Sequence, residues 1–352
     1  MAPGKYEAVA NAGVANSNCV KFAASFVLIA LLAGCSAART GTLPSEPAFS
    51  AGGNAGPERR GKITLYEDTF GDATPQGIAT GPDGALWFVD TGNDVIGRIT
   101  AGGSFTNEYV AGAELSGGIT AGPDGALWFT IEQSNGGIGR ITTAGAITLF
   151  NDSGGSYPQG ITTGPDGALW FAESNGAVGR ITTSGVVTHI KIAPADAGLD
   201  GIVTGPDGRL WVTQFVVGGS RLSDKVIRLA TNGQKRTYTV GSGPGSICVG
   251  PDGALWFAEE GAGALGRLTT AGSYSEIKTK YGPVAVATGP DGALWFTAAN
   301  AKIGRLTKTG KATFYSVPAS NPGLGQITPG PDGAMWFTSA VTPSAIGRVT
   351  TH

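Results

Sequence analysis

Histidine, cysteine and charged residues are scarce in this sequence of 352 residues. It has two His, three Cys and 14% charged side chains, and its 24 basic and 26 acidic residues give a net charge of −2. This balance provides no basic stripe for nucleic acid, and no folded nucleic-acid-binding motif is present. No Cys/His group has zinc-site spacing, and no histidine suits a Ser–His–Asp triad. We therefore expect no nucleic-acid partner, and the catalytic residues are unknown.

Glycine and proline, in contrast, are abundant, with 59 Gly and 20 Pro. Such a composition approaches that of disordered or collagen-like chains. However, the sequence lacks the glycine at every third position that collagen needs. Apolar residues make up 41% of the chain and include seven Trp, so enough apolar surface is available to bury a sizeable core. We therefore expect a folded protein.

The first 35 residues have the pattern of an export signal. Lys21 precedes an apolar run from Phe22 to Leu32, which leads into Leu32-Ala33-Gly34-Cys35. A positive flank, a short apolar region and small residues at the cleavage point are typical of secretory signals, and the run is too short to span a bilayer. Its last four residues resemble the bacterial lipobox, in which Cys35 is lipidated. The alternative is an ordinary signal peptide in which Cys35 occurs by chance.

This pattern predicts three segments and a location. Residues 1–34 are the lipoprotein signal peptide, residues 35–61 are the lipidated Cys35 and a flexible linker, and residues 62–352 form the folded domain. The mature protein is then exported and anchored by lipid to the bacterial cell envelope, on its periplasmic or extracellular face. Cys248 lies in a predicted strand, where a buried and unreactive thiol is expected.

Seven copies of one unit fill the folded domain. Each copy has Gly-Pro-Asp-Gly, then a tryptophan, and farther on Ile-Gly-Arg or a close variant. Successive tryptophans are 41, 42, 41, 45, 39 and 41 residues apart, at Trp87, Trp128, Trp170, Trp211, Trp256, Trp295 and Trp336. Four short strands in every repeat of about 40 residues are typical of a β-propeller. The repeated aspartate and arginine are expected to be structural.

The first unit and the chain ends predict how the ring closes. Residues 77–80, 85–89, 95–100 and 104–110 are predicted strands, and Pro82, Asp83 and Gly84 favour a tight turn between the first two. The last unit stops after its third strand, whereas residues 62–66 resemble a fourth strand. The fold class is therefore all-β: a monomeric seven-bladed β-propeller with four-stranded blades, whose N-terminal strand joins the last blade.

Antiparallel strands bring the variable loops of all blades to one face of the propeller, and variable loops on a rigid scaffold usually carry binding specificity. Acidic residues that end the second strands and polar residues near the starts of the first strands are predicted to line this face. The predicted binding residues are Gln76, Asp90, Glu132, Tyr157, Gln159, Glu173, Asp200, Glu259 and Glu260. A tyrosine at this place either stacks on a sugar or peptide or only packs.

Three of these carboxylates are also candidate metal ligands. Asp90, Glu173 and Glu259 have the oxygen chemistry that Mg²⁺ or Ca²⁺ prefers, if they converge on the mouth of the channel. The alternative is that each carboxylate only accepts hydrogen bonds from backbone donors at a blade edge, or lies in water. No cofactor is certain from the sequence.

The phrase Pro-Gln-Gly-Ile-Thr-Thr-Gly-Pro-Asp-Gly-Ala-Leu-Trp-Phe, from Pro158 to Phe171, resembles the virginiamycin B lyase, or streptogramin lyase, family. The resemblance covers residues 62–351, all seven repeats. It implies a propeller fold and an enzyme of antibiotic resistance, which linearises a cyclic depsipeptide by eliminating its ester C–O bond. It also implies a histidine base and a Mg²⁺ ion, which fit such an elimination chemically.

The catalytic residues that the resemblance implies are not histidines here. In the family, the essential histidines follow the proline that starts the first strand of each of the last two blades. This chain has Val284 and Gly325 at those positions. The metal-binding glutamate of the family aligns with Ser339 or Ala340. The fold is therefore expected to match the family, whereas its chemistry is not.

Three functions remain open. The first is an envelope-anchored binding or scaffold protein, whose ligand is a small cyclic peptide or a glycan. The second is a metal-dependent C–O lyase or lactonase, which opens a cyclic ester with Asp90, Glu173 or Glu259 in place of the usual histidines. The third is a structural partner of another envelope protein. Catalysis by the two histidines is not expected, because His189 is predicted to be exposed on an outer strand and His352 to be frayed at the C terminus.

Overall fold

The computed structural model describes residues 60–67, 73–132, 136–152, 157–216, 224–319, 323–340 and 344–352. Within these ranges, 28 strands form seven antiparallel sheets of four strands each, which are the blades of a β-propeller. The predicted all-β, seven-bladed propeller is therefore confirmed, whereas the monomeric state stays a prediction. The predicted signal peptide, the lipidation site Cys35 and nearly all of the linker lie outside the described residues. No helix in these ranges has the length and apolar character to span a membrane.

The first four blades run in chain order from the innermost to the outermost strand. The first contains β2 (Pro75–Thr80), β3 (Leu86–Asp90), β4 (Val95–Ile99) and β5 (Phe105–Val110). The second contains β6 (Leu115–Ala121), β7 (Leu127–Ile131), β8 (Gly137–Ile141) and β9 (Ile147–Asn151). The third contains β10 (Pro158–Thr163), β11 (Leu169–Glu173), β12 (Ala177–Ile181) and β13 (Val187–Lys191). The fourth contains β14 (Ala197–Thr204), β15 (Leu210–Val216), β16 (Lys225–Leu229) and β17 (Lys235–Thr239).

The last three blades repeat this order, except that the seventh takes its outermost strand from the N-terminal side of the domain. The fifth contains β18 (Pro244–Val249), β19 (Leu255–Glu259), β20 (Ala264–Leu268) and β21 (Tyr274–Lys278). The sixth contains β22 (Pro283–Thr288), β23 (Leu294–Ala298), β24 (Lys302–Leu306) and β25 (Ala312–Ser316). The seventh contains β26 (Leu324–Pro329), β27 (Met335–Ser339), β28 (Ala345–Val349) and β1 (Ile63–Glu67).

The N-terminal strand closes the ring as the sequence predicted. Residues Ile63–Glu67 pair antiparallel with Ala345–Val349 along their whole length. The ring of Tyr66 stacks on Trp336, with centroids 5.5 Å apart. The first and last segments of the domain therefore share one sheet, so the seventh blade has the same four strands as the others.

The repeated aspartate, tryptophan and arginine bond to one another in every blade. In the first, Oδ1 of Asp83 accepts from the indole Nε1 of Trp87 at 3.0 Å, and Oδ2 accepts from Nε of Arg98 at 2.8 Å. The other six blades repeat both bonds. Burial raises the pKa of each aspartate, but the bonds from tryptophan and arginine outweigh burial and lower the pKa below its ordinary value. These repeated charges are therefore structural.

The core consists of apolar layers between neighbouring blades. The second strand of the first blade is wholly buried, and its Phe88 ring lies where a Cβ of Gly97 would be. This close approach of a ring to the backbone explains the glycine of the Ile-Gly-Arg motif. The fourth blade has Ile227 at the same position, and there the partner on the second strand is the smaller Val212.

A bulge interrupts the pairing of the first and second strands in all seven blades. Hydroxyl groups on second strands fix some of the bulged backbones across blade boundaries. Thr213 donates to the carbonyl of Gly245 at 2.9 Å, and Thr297 donates to that of Gly325 at 2.7 Å. Bulges redirect side chains, so these seven irregularities determine what each innermost strand presents at the variable face.

Candidate functional site

The seven bulges surround the propeller axis, because each innermost strand packs against the innermost strands of both neighbouring blades. In every blade, one bulged residue lies two residues before the Ile or Val that pairs with the Phe or Val of the second strand, and we call this place the axial position. The axial positions hold Gln76, Gly117, Gln159, Asp200, Gly245, Val284 and Gly325. This set combines two amides, one carboxylate, one apolar residue and three glycines, and none of the seven is a histidine.

Tyr157 and Gln159 provide polar groups at the axial ring. Nε2 of Gln159 donates to the carbonyl of Tyr157 at 3.3 Å. Tyr157 has a positive φ of 42°, and 37% of the residue is exposed. This conformation is strained for a residue with a side chain, and such strain concentrates at functional sites. The side chain of Gln159 therefore contacts the backbone of Tyr157, and the binding role of both residues stays a prediction.

Asp200 is the one carboxylate among the axial residues. Burial, and to a smaller extent the negative charge of Glu260, together raise its pKa to about 6. Burial also raises the pKa of Glu260, which follows the second strand of the next blade. A side chain at Gly245 would place its Cβ 3.1 Å from Oδ2 of Asp200, so this glycine leaves the carboxylate room. A carboxylate whose pKa is near 6 can exchange protons close to neutral pH.

Asp90 occupies a different environment from Asp200. It is fully buried at the end of its strand. Its Oδ1 accepts from the backbone N–H of Thr74 at 2.7 Å and of Gly92 at 2.9 Å, and its Oδ2 accepts from Nδ2 of Asn93 at 2.8 Å. These contacts hold the loops that flank the strand. Asp90 thus has the backbone partners that the sequence analysis gave as the alternative to a metal role.

Glu259 is also fully buried at the end of its strand. Its Oε1 accepts from the backbone N–H of Gly241 and from the hydroxyl of Tyr274, both at 2.8 Å. Burial raises the pKa of Glu259, although these two hydrogen bonds oppose that effect. Glu132, the remaining predicted acid of the second blade, is exposed and follows the end of its strand.

Glu173 lies beside a histidine that the sequence analysis set aside. Oε1 of this fully buried glutamate is 3.3 Å from Nε2 of His189, and Oδ1 of Asp152, also fully buried, is 2.7 Å from the same nitrogen. Within the described residues this is the one group of three or more His, Cys, Asp or Glu side chains close enough to hold a metal ion. Asp90 and Glu259 do not belong to it. The metal role of the three predicted carboxylates stays a prediction.

Both histidines of the chain lie away from the axial positions. His189 is on the outermost strand of the third blade. His352 lies beside the Gly-Pro-Asp-Gly turn of the seventh blade, where Thr351 donates to the carbonyl of Gly333 at 2.6 Å. Cys248 is partly buried on an innermost strand, and burial raises the pKa of its thiol to about 12, so the thiol stays protonated.

The donors at the axial ring do not fit the Mg²⁺ ion that the family resemblance implies. Ser339 and Ala340, the two residues that the resemblance aligns with the family's metal-binding glutamate, carry no charge, and the hydroxyl residue Ser339 is buried. Among the described residues, no group of three metal-ligating His, Cys, Asp or Glu side chains includes Asp200. Hard cations prefer several oxygen ligands with negative charge. The ring is therefore suited to hydrogen bonding and to proton exchange at one carboxylate.

Known proteins share this architecture. The model of the virginiamycin B lyase family matches residues 57–218 and 186–352. A solved streptogramin B lyase is 26% identical, with a TM-score of 0.72 over 83% of this chain and 98% of that one. Virginiamycin B lyase from Staphylococcus aureus is 31% identical, with a TM-score of 0.71 over 82% and 99%. A catalytically inactive histidine-to-alanine variant from that organism, solved with quinupristin, is 30% identical, with a TM-score of 0.72 over 82% and 99%. No curated protein sequence matches the chain.

Proposed function

The chain belongs to the virginiamycin B lyase family, and we propose that it binds a small cyclic peptide at its axial ring without the family's histidine-dependent elimination. The observation that carries this proposal is the composition of the seven axial positions, which include two glutamines and three glycines but no imidazole. A glutamine amide donates and accepts hydrogen bonds but does not titrate near neutral pH. Such a ring suits recognition of peptide groups better than removal of a proton from carbon.

The ligand class follows from the relatives. The inactive relative was solved with quinupristin, and a ring in which glycines leave open space beside polar side chains can accept a compact ligand of that kind. Gly117 and Gly245 lie next to Gln76 and Asp200, so the polar groups border the open positions. A glycan is the competing small ligand, and the binding experiment below separates it from the cyclic peptide.

The second candidate function is opening of a cyclic ester with Asp200 as the base. The observation in its favour is the pKa of about 6, which lets a carboxylate accept a proton and release it near neutral pH. In this mechanism Asp200 removes a proton from the carbon adjacent to the one that bears the ester oxygen. The electrons of that C–H bond form the C=C bond, and the C–O bond on the alcohol side breaks to leave an alkene and a carboxylate. None of the seven axial residues is a histidine, so Asp200 would act without an imidazole partner at the ring.

The proposed location is the bacterial cell envelope. Leu32-Ala33-Gly34-Cys35 supports a lipid anchor on Cys35. Labelled fatty acid incorporated by the wild-type chain in a bacterial host, and lost in Cys35→Ala, is the expected result. Equal labelling of both proteins would exclude Cys35 as the anchor.

Calorimetric titration tests binding, with quinupristin as the probe and a muropeptide as the glycan control. We expect wild-type protein to bind the cyclic depsipeptide, and the double variant Gln76→Ala/Gln159→Ala to bind at least about tenfold more weakly, since two hydrogen-bonding side chains are lost. His352→Ala, on the opposite face, is the matched control and should bind like the wild type. Binding of the muropeptide without binding of quinupristin would exclude the proposed cyclic peptide and would identify a glycan as the ligand.

Chromatography of the same mixtures separates binding from catalysis. Elimination yields a linear isomer with unchanged mass, whereas hydrolysis adds the mass of one water, so retention time and mass together identify the reaction. We expect the ligand to be recovered intact. A linear isomer that forms with wild-type protein and not with Asp200→Asn would establish the second candidate in place of the first.

A further inference from the structure

Three side chains with metal-ligating chemistry meet between the second and third blades, apart from the axial ring. Asp152 directly follows the outermost strand of the second blade, Glu173 ends the second strand of the third blade, and His189 is on the outermost strand of that blade. Nε2 of His189 is 2.7 Å from Oδ1 of Asp152 and 3.3 Å from Oε1 of Glu173. The ligand atoms of all three residues lie within 4.8 Å of one another.

Burial and charge make this group different from a surface ion pair. Both carboxylates have no exposed surface, whereas 25% of the imidazole side chain is exposed. Removing a carboxylate from water is unfavourable by several kcal/mol unless opposite charge compensates it. Taken alone, two carboxylates and an imidazolium carry a net charge of −1, whereas two carboxylates, a neutral imidazole and a divalent cation carry none.

We propose that Asp152, Glu173 and His189 bind a divalent transition-metal ion, with Zn²⁺ the preferred ion. One imidazole and two carboxylates form a mixed nitrogen and oxygen set, which suits Zn²⁺, whereas Mg²⁺ and Ca²⁺ are usually bound by oxygen alone. Three protein ligands leave the fourth tetrahedral position for water, as in zinc sites that exchange ligands. The exposed edge of His189 gives the ion a path from solvent.

The distances require only small adjustments to admit the ion. Zinc bonds of about 2.0–2.2 Å with tetrahedral angles place ligand atoms about 3.3–3.5 Å apart. Of the two separations from Nε2, the one to Glu173, 3.3 Å, is at the lower end of that range, and the one to Asp152, 2.7 Å, must widen by about 0.6 Å. The imidazole is also oriented by packing, because its ring meets Phe171 edge to face at 6.3 Å.

The corresponding position in the fifth blade has no histidine and can be compared with the cluster in the third blade. There Glu259 is the buried carboxylate, and the residue at the position of His189 is Glu276, which pairs with Gly266 as His189 pairs with Gly179. The hydroxyl of Tyr274 donates to Glu259. That blade has a second carboxylate and a phenol in place of an imidazole, and it provides a natural control for metal binding.

Titration of tag-free, chelator-treated protein with Zn²⁺ tests the proposal. We expect one zinc ion to bind per chain of wild-type protein. The variants Glu173→Gln and His189→Gln should bind zinc at least about 100-fold more weakly, because each loses a direct ligand. The variant His352→Gln, which alters the other histidine, should bind zinc as the wild type does. Glu259→Gln should also bind normally. Absence of binding to wild-type protein, or equal affinity in His189→Gln, would overturn the proposal.

A second measurement on wild-type protein keeps the test independent of how well the variants fold. Bound Zn²⁺ stabilises only the folded state, so the melting temperature should rise with zinc concentration, and beyond one equivalent it should continue to rise with the logarithm of free zinc. Co²⁺ in the same site should give visible absorption bands that Zn²⁺ displaces. A melting temperature that zinc does not raise, together with no cobalt bands, would show that the three residues form only an ion pair.

Discussion

The hydroxyl of Thr338 donates a hydrogen bond of 2.7 Å to the carbonyl of Gln76, which links the last blade to the first across the closure of the ring. Thr338 is fully buried on β27, and Gln76 belongs to the bulge of β2. The same type of bond joins Thr297 to Gly325 one blade earlier. The axial ring therefore takes part of its geometry from side chains on the second strands.

Thr338→Val should destabilise the protein by about 1–3 kcal/mol, because the carbonyl of Gln76 loses its hydroxyl donor in a buried place while the side-chain volume is nearly unchanged. Thr148→Val, on an exposed strand position, is the matched control and should change stability by less than about 0.5 kcal/mol. Urea unfolding of both variants measures the difference. Equal stabilities would show that the bond across the closure contributes nothing.

Asp291→Asn should destabilise the protein more than Asp252→Asn, although both change the same repeated residue. The side chains of Asp291 and Arg305 are 10% and 11% exposed, whereas those of Asp252 and Arg267 are both 31% exposed. An asparagine at either position brings its own N–H donor against the donor groups of tryptophan or arginine. The resulting loss of stability is larger where the aspartate and arginine are more buried, up to about 3 kcal/mol. Unfolding at neutral pH compares the two variants.

The pH dependence of these aspartates has a definite sign. Their pKa values are lowered in the folded protein, so the stability they provide is present above the ordinary aspartate pKa and is lost as the pH falls below about 4. Asp291→Asn should therefore lose less stability than the wild type between about pH 4 and pH 3. A parallel fall in both proteins would contradict the assigned shift.

The repeat made most of the fold predictable, but not the cluster around His189. The tryptophan spacing predicted seven blades, and residues 62–66 predicted the closing strand, because each blade of a propeller is formed by one repeat of the sequence. His189, in contrast, contacts Asp152 from the preceding blade and Glu173 from a strand two positions inward. No local spacing relates these three residues, since which side chain faces a neighbouring blade depends on how the sheets pack.

The sequence also could not predict the surroundings of the individual acidic residues. Asp90, Glu173 and Glu259 have equivalent places in the repeat, yet one holds loop backbone, one meets a histidine and one meets a tyrosine. Asp200 lies instead in a bulge of an innermost strand, where burial raises its pKa. The pattern of acids could indicate the variable face, but only the bulge geometry shows which carboxylate borders the axis.

Asp200→Asn should stabilise the protein at neutral pH. The pKa of Asp200 is raised to about 6 in the folded state, so its contribution to stability is greatest when it is protonated and declines as the pH rises from about 4 to about 6. The variant stays neutral throughout, so its advantage in melting temperature should appear over this window and level off above it. Glu114→Gln, an exposed acid, is the control. An advantage that does not vary with pH would exclude a raised pKa.

Gly325→Ala tests whether the ring can accept a side chain at a position where the family resemblance implies a histidine. A Cβ at Gly325 would lie 2.5 Å from the hydroxyl of Thr338 and 3.1 Å from the carbonyl of Gln76, whereas a Cβ at Gly245 would contact only Oδ2 of Asp200, at 3.1 Å. We expect Gly325→Ala to destabilise by about 1–3 kcal/mol from overpacking, and Gly245→Ala by less.

A double-mutant cycle shows whether Thr338 is the cause of that cost. In Thr338→Ala protein the obstructing hydroxyl is absent, so adding Gly325→Ala should be less unfavourable than in the wild type, with a coupling of at least about 0.5 kcal/mol from urea unfolding. Simple additivity would mean that the carbonyl of Gln76 alone limits the space. If the coupling is found, Thr338 restricts the space for any side chain at position 325, so a histidine there should be less unfavourable in Thr338→Ala protein than in the wild type.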